Sequence, residues 1–266
     1  MKKIILGLIS VITLAVLAGC NQNDENTLVV GVVAPPMSTI IEINKEAFEA
    51  LGYKLEIKTF NDYDIVNRAL NDGEIDLNFS QHELFMAAFN ANFDGTLVKI
   101  QGIYTTPNFL YSRTIETIDD IKEDTIIGVP REPINLNRAL RFLKQLNLIT
   151  FDKTDEENVG LNDVVKLKEF VLEPFELTAL PLAWPDIDMA VMYPSFGQRA
   201  NLTIEDDTIA VEESILPKYD ISIVGREDNK DSQIVLDFIE IITSDRTKQF
   251  LFDNFGSTYR VVYEDN

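Results

Sequence analysis

The sequence predicts an α/β chain of two lobes, joined by two connecting strands, with a ligand cleft between them. Three observations lead there. Short β-branched runs alternate with helical segments, the pattern of βαβ units and a largely parallel sheet covered by helices on both faces. The alternation occurs twice, once up to residue 103 and again from residue 125. Two more short apolar runs, Phe109 to Ser112 and Ile221 to Val224, each end near an arginine (Arg113 and Arg226) and suit strands linking one lobe to the other. Architectures of this kind place the ligand between domains and close on it by a hinge.

The elements follow in order. Leu28 to Val33 is a compact β-branched run and is expected as a buried strand, stopped by Ala34-Pro35-Pro36. A helix fits Ser38 to Leu51, with capping-box spacing between Thr39 and Glu42 and Gly52 at the C′ position. Then come a strand over Leu55 to Thr59, a helix over Asp62 to Leu70 and a turn at Asn71-Asp72-Gly73. A strand over Ile75 to Phe79, a helix over His82 to Asn92 and a strand over Leu97 to Ile103 complete the first series.

The second series opens with a strand over Thr125 to Val129 and a helix over Pro133 to Leu146, with proline in its first turn. It continues with a strand over Lys168 to Leu172, a short helix over Glu176 to Leu180, a strand over Ile187 to Met192 and a helical turn over Pro194 to Ala200. A strand over Tyr219 to Gly225 and helices over Ser232 to Thr243 and Asp245 to Phe255 end the chain. The expected lobes are residues 28–108 with 227–266, and residues 109–226.

The first 27 residues read differently. Lys2 and Lys3 precede an apolar run that ends in Leu17-Ala18-Gly19-Cys20, the layout of a secretory leader rather than a spanning helix. The tetrapeptide resembles the lipobox of bacterial lipoproteins, which implies a signal peptide over residues 1–19 and lipid attachment at Cys20, the single cysteine. Residues 20–27 are expected as a polar tether. One acyl chain anchors weakly, but several bind stably, because each buried CH2 contributes roughly 0.8 kcal/mol.

Composition narrows the function classes. A single cysteine excludes a disulfide framework, and 45% hydrophobic residues suffice for a real core. With 44 acidic against 23 basic residues the net charge is −21, which repels both phosphate backbones and anionic lipid. Nucleic acid is therefore not an expected partner, and the membrane is reached only through the lipid. One histidine, His82, cannot make a zinc hydrolase motif, and no dinucleotide fingerprint, P-loop or nucleophile elbow is present. Asp72, Glu74 and Asp76 alternate, but Gly73 is out of register for an EF-hand loop. No catalytic residue, metal or cofactor is expected.

Four segments carry a resemblance. They are Val30-Gly31-Val32-Val33-Ala34-Pro35-Pro36; Phe60-Asn61-Asp62-Tyr63 followed by Ala69 through Gln81-His82; Val129-Pro130-Arg131-Glu132-Pro133-Ile134-Asn135-Leu136-Asn137-Arg138-Ala139-Leu140; and Tyr219 through Lys230. Together they resemble the NlpA-type, methionine-binding lipoproteins. The resemblance implies a two-lobed fold of the periplasmic-binding-protein type and no enzymatic activity. It also implies a monomer, lipid-anchored on the extracytoplasmic face, that hands an amino acid, D- or L-methionine, to the permease of an ABC importer. A different ligand, such as a related amino acid or short peptide, and a surface lipoprotein that has lost solute binding are the alternatives.

The same resemblance implies the site. Arg138 matches an arginine that would hold the ligand carboxylate, a role suited to a bidentate guanidinium. Tyr63 and His82 match pocket residues around the side chain, and Phe85 keeps the ring of a family tyrosine without its hydroxyl. Aromatic rings suit a thioether. Asn135 matches an asparagine near the arginine, and Tyr193 stands where the family has an asparagine for the ligand backbone. Ser80 and Ile221 are two further departures, from a phenylalanine and an asparagine respectively.

Overall fold

The computed structural model describes residues 26–154 and 157–263. Cys20 and the leader lie outside the described residues, as does most of the expected tether. Its last residue, Thr27, already belongs to the first strand.

The first lobe begins β1 (Thr27–Val32), α1 (Met37–Glu49), β2 (Lys54–Thr59), α2 (Tyr63–Asn71), β3 (Leu77–His82), α3 (Glu83–Phe93) and β4 (Leu97–Thr105). The second holds β5 (Phe109–Ser112), β6 (Ile126–Pro130), α4 (Pro133–Gln145), β7 (Ile149–Thr150), β8 (Val165–Lys166) and β9 (Val171–Phe175). It continues with α5 (Leu180–Ala183), β10 (Met189–Met192), α6 (Pro194–Arg199), α7 (Ile204–Asp207) and β11 (Thr208–Val211). The chain ends in β12 (Ile221–Arg226), α8 (Gln233–Ile242), α9 (Asp245–Phe255) and β13 (Arg260–Val261).

Two mixed sheets form the lobes, in the orders β13-β4-β12-β3-β1-β2 and β11-β5-β10-β6-β9, with β7 and β8 paired apart. In the first, β2, β1 and β3 are parallel, and β12 enters antiparallel between β3 and β4. In the second, β10, β6 and β9 are parallel, while β5 runs antiparallel to β10. The two strands expected to bridge the lobes are thus each embedded in one sheet, β5 in the second and β12 in the first. The bridges themselves are the short segments beside them, 106–108 and 212–220. Ile221–Arg226 consequently sits with the first lobe's sheet rather than at the end of the second lobe. Apolar alternation marks a strand but carries no information on which sheet receives it.

Local chemistry explains several boundaries. α1 starts at Met37 behind Pro36, one residue before the expected start, and the expected Thr39–Glu42 capping box is not formed. Asp62 caps α2 through a bond accepted from the Ile65 amide at 2.8 Å. Gly52 takes φ of +95° after α1, a conformation that favours glycine. α7, β7, β8 and β11 were not foreseen, being short and weakly patterned. The strand expected at Lys168 to Leu172 is displaced to β9, which contains Pro174. A proline there is tolerated because β9 is an edge strand.

Each lobe has its own apolar core, one around Val30, Phe48, Phe79 and Phe238, the other around Val129, Phe142, Phe170 and Val191. A third cluster draws on both lobes, joining Tyr63, Phe85 and Phe89 to Leu177, Tyr193 and Phe196. The lobes therefore meet across the cleft. α6 is held close to β5: a Cβ on Gly197 would lie 2.5 Å from the ring of buried Tyr111. Gly197→Ala should cost about 1–3 kcal/mol in urea unfolding through this overpacking; an unchanged midpoint would show that Tyr111 has room to yield.

Candidate functional site

The chamber between the lobes is built at the carboxyl ends of parallel strands, where open α/β sheets bind ligands. β3 delivers Ser80 and His82, the end of β4 delivers Tyr104 and Thr106, and β10 leads directly into Tyr193, Ser195 and Phe196. Tyr63 from the start of α2, Phe85 from α3 and Asn135 from the first turn of α4 complete the wall, with Ile221 and Tyr259 behind. Five of the six residues expected to hold a ligand (Tyr63, His82, Phe85, Asn135 and Tyr193) thus come together from both lobes.

His82 is the N-cap of α3 rather than part of that helix, because β3 runs on to pair His82 with Ile221. Its Nδ1 accepts the Phe85 amide N–H at 3.2 Å. That assigns the ring proton to Nε2, which donates to Asn135 Oδ1 at 3.2 Å. Burial chiefly, and then the nearby Arg138 charge, hold the imidazole pKa down to about 3, so the ring is neutral at physiological pH. Its edge meets Phe85 at 6.4 Å and Tyr219 at 5.1 Å between centroids. Tyr63 and Phe85 lie 5.7 Å apart and form an aromatic pair across the apolar end.

Arg138 stands one layer back and does not line the chamber. The fork expected to grip a ligand carboxylate grips Glu212 instead. Nε lies 3.0 Å from Oε1, and Nη2 donates to Oε2 at 2.7 Å and to the Thr106 carbonyl at 2.8 Å. Nη1 lies 3.4 Å from the Tyr193 hydroxyl, which is itself 3.5 Å from Asn135 Oδ1. The guanidinium also lies over two rings, 4.4 Å from the centroid of Tyr219 and 5.4 Å from that of Tyr193. Tyr193, where the resemblance implies an asparagine, thus interposes its ring and hydroxyl between Arg138 and the chamber.

Ser80 lines the chamber, but its hydroxyl is engaged within the wall. It donates to Asn78 Oδ1, Asn78 donates to Asn67 Oδ1, and Asn67 and Gln81 bond amide to amide. This buried ladder ties α2 to β3 within the chamber wall. Asn67, Asn78, Thr106, Ser195 and Glu212 were not foreseen as site residues. Glu212 had no signal to find it by, being one of 44 acidic residues in a loop that only the fold brings to Arg138.

The chamber has little free volume, about 30 Å³, and opens past Tyr63 and Phe85 into an outer vestibule of about 440 Å³. Asp62, Asp64, Glu132 and Glu176 make the vestibule acidic, with Arg131 paired to Glu176 at 3.4 Å. Glu132 Oε1 accepts the Leu177 amide at 2.9 Å, while Oε2 is buried with no hydrogen-bond donor among the described residues. Among the described residues no helix is long and apolar enough to cross a membrane.

Comparison with known proteins places this geometry. The family model for the NlpA lipoprotein matches residues 28–261. A D-methionine-binding lipoprotein MetQ of Salmonella typhi is 33% identical over 235 residues, covering 86% of each chain. A crystal structure of the methionine-binding protein MetQ superposes with a TM-score of 0.83 at 29% identity, covering 89% of this chain and 98% of that one. A nutrient-binding protein from Burkholderia cenocepacia bound to methionine gives a TM-score of 0.83 at 26% identity, over 89% and 100%. These relatives are binding proteins, and the two-lobed α/β fold is shared with them. This chain belongs to the NlpA lipoprotein family.

Proposed function

We propose that this protein is the lipid-anchored solute-binding component of an ABC importer, taking an amino acid of the methionine class into the interlobe chamber and delivering it to the membrane permease. It performs no chemistry. Capture is by closure of the two lobes about segments 106–108 and 212–220, and Cys20 holds the protein on the extracytoplasmic face of the cell membrane. The observation that carries the reading is the convergence of Tyr63, His82, Phe85, Asn135 and Tyr193 from both lobes on one chamber.

The chamber is polar at one end and aromatic at the other. Tyr63 and Phe85, with Met37 and Phe196, offer polarizable walls for a thioether. At the polar end, a ligand carboxylate that displaced the Tyr193 hydroxyl would meet Arg138 Nη1. The acidic vestibule favours a second ligand class, a short peptide whose ammonium extends towards Glu132.

Thermal unfolding with a panel of amino acids and dipeptides tests this, on protein first partly unfolded and dialysed to strip any retained ligand. A ligand at about 100 times its dissociation constant adds about 2.7 kcal/mol. For a chain of this size that is a rise of about 5–10 °C. Methionine should produce it. A shift from another solute alone would reassign the ligand, and no shift from any would leave a surface lipoprotein without solute binding.

A further inference from the structure

Resting on the proposed methionine-class ligand, we propose that Glu212 is a positioning and specificity-determining residue: it fixes Arg138 to both interlobe bridges and makes the chamber reject ligands of net negative charge. The geometry is that of a clamp. Glu212 lies in one bridge and Asn108 in the other, and they exchange backbone and side-chain bonds: Glu212 N–H to the Asn108 carbonyl, and Asn108 N–H to Glu212 Oε2, each 2.9 Å. Arg138 reaches from α4 to both bridges, through Thr106 and through Glu212. The pair is almost wholly enclosed, its side chains 2% and 7% exposed.

Charge counting then selects the ligand. An arginine does not release its proton, so Arg138 stays cationic, and Glu212 matches it. His82 is neutral, and the remaining polar groups at that end of the chamber, from Asn135, Tyr193, Ser195 and Thr106, carry no charge. In the vestibule beyond stand the carboxyl groups of Asp62, Asp64, Glu132 and Glu176, and Arg131, the one cation lining it among the described residues, is paired to Glu176. An anion would therefore enter as an uncompensated buried charge, which is strongly unfavourable. A zwitterion adds none. Without Glu212, the chamber would face the full charge of Arg138.

Calorimetric titration of the purified full chain with methionine, its α-hydroxy acid analogue and methioninamide reads this directly. The three match closely in shape and carry zero, negative and positive charge. Wild type should prefer methionine over the hydroxy acid by at least about tenfold. Glu212→Gln should narrow that ratio by about tenfold or more, and the double variant Glu212→Gln with Arg138→Gln should restore it. Glu212→Asp keeps the charge and should keep the ratio while weakening all three ligands together. A ratio unmoved in folded Glu212→Gln, or wild type binding the hydroxy acid as tightly as methionine, overturns the assignment. If Glu212→Gln does not fold, the wild-type ratio and Glu212→Asp decide. Absence of methionine binding to wild type overturns the ligand reading and this inference with it, whereas methionine binding with an unmoved ratio overturns this inference alone.

Discussion

Replacing Arg138 with methionine should lower the unfolding free energy by about 3–5 kcal/mol at neutral pH, the largest effect expected of any single change at this site. The reason is what remains. Glu212 would keep its charge in a nearly closed environment with the Asn108 N–H as its one remaining donor among the described residues, and the Thr106 carbonyl would lose its donor. Methionine fills much of the vacated volume, so the loss reports the stranded carboxylate more than a cavity. The double variant Arg138→Met with Glu212→Met should recover most of the loss, because an apolar pair of similar volume replaces a buried ion pair at little cost. Urea unfolding of the wild type, both single variants and the double gives the coupling energy. A loss under 1 kcal/mol for Arg138→Met would mean that water reaches Glu212 and that the clamp is not the closed unit described.

The clamp also marks where sequence reasoning ran out. Arg138 could be singled out because Pro-x-Asn-x-x-Arg on a helix resembles a ligand-binding motif. Its partner could not, since Glu212 lies 74 residues away and nothing local distinguishes it. The same division runs through the fold. β1 was legible from a compact β-branched run, β2 and β4 from the alternation of strand and helix segments, and α4 from its proline start. The antiparallel insertion of β12 between β3 and β4 was not legible, because a period of two says nothing about direction or neighbours. His82 illustrates the consequence. Read locally, it opens a helix; in the fold, pairing with Ile221 prolongs β3 by three residues beyond Phe79 and turns the histidine into a cap. The five residues that share the chamber were singled out by motif resemblance; that α2, α3 and α4 bring three of them to the ends of β3 and β10 is a property of the fold that no local pattern states.

Glu132→Gln should stabilise the protein at pH 8 and leave it nearly unchanged at pH 4. Burial, more than any other influence, pushes the Glu132 carboxyl up to about 7 from 4.5; its bonds from the Leu177 amide and its own backbone oppose the shift, and Glu176 adds to it. The folded protein therefore holds a proton that the unfolded chain has lost between pH 4.5 and 7. Stability falls as pH rises wherever the folded state binds more protons, so the contribution is intact below 4.5 and lost progressively up to about 7. The full difference corresponds to about 3 kcal/mol at pH 8, the span between the two values at 1.36 kcal/mol per unit. Glutamine keeps the acceptor for Leu177 and carries no charge to desolvate, so it should remove this penalty. Urea unfolding of wild type and variant at both pH values isolates the effect, because Asp64 and Asp220, whose carboxyls burial also raises, are common to both proteins. An equal difference at pH 4 and pH 8 would sink the assignment. The site gives the effect a functional edge. Glu132 and Glu176 of the second lobe share the vestibule with Asp62 and Asp64 of the first, so each added negative charge opposes closure of the cleft. Glu132→Gln should accordingly bind the chamber's ligand more tightly at pH 8, with the gain vanishing below pH 5.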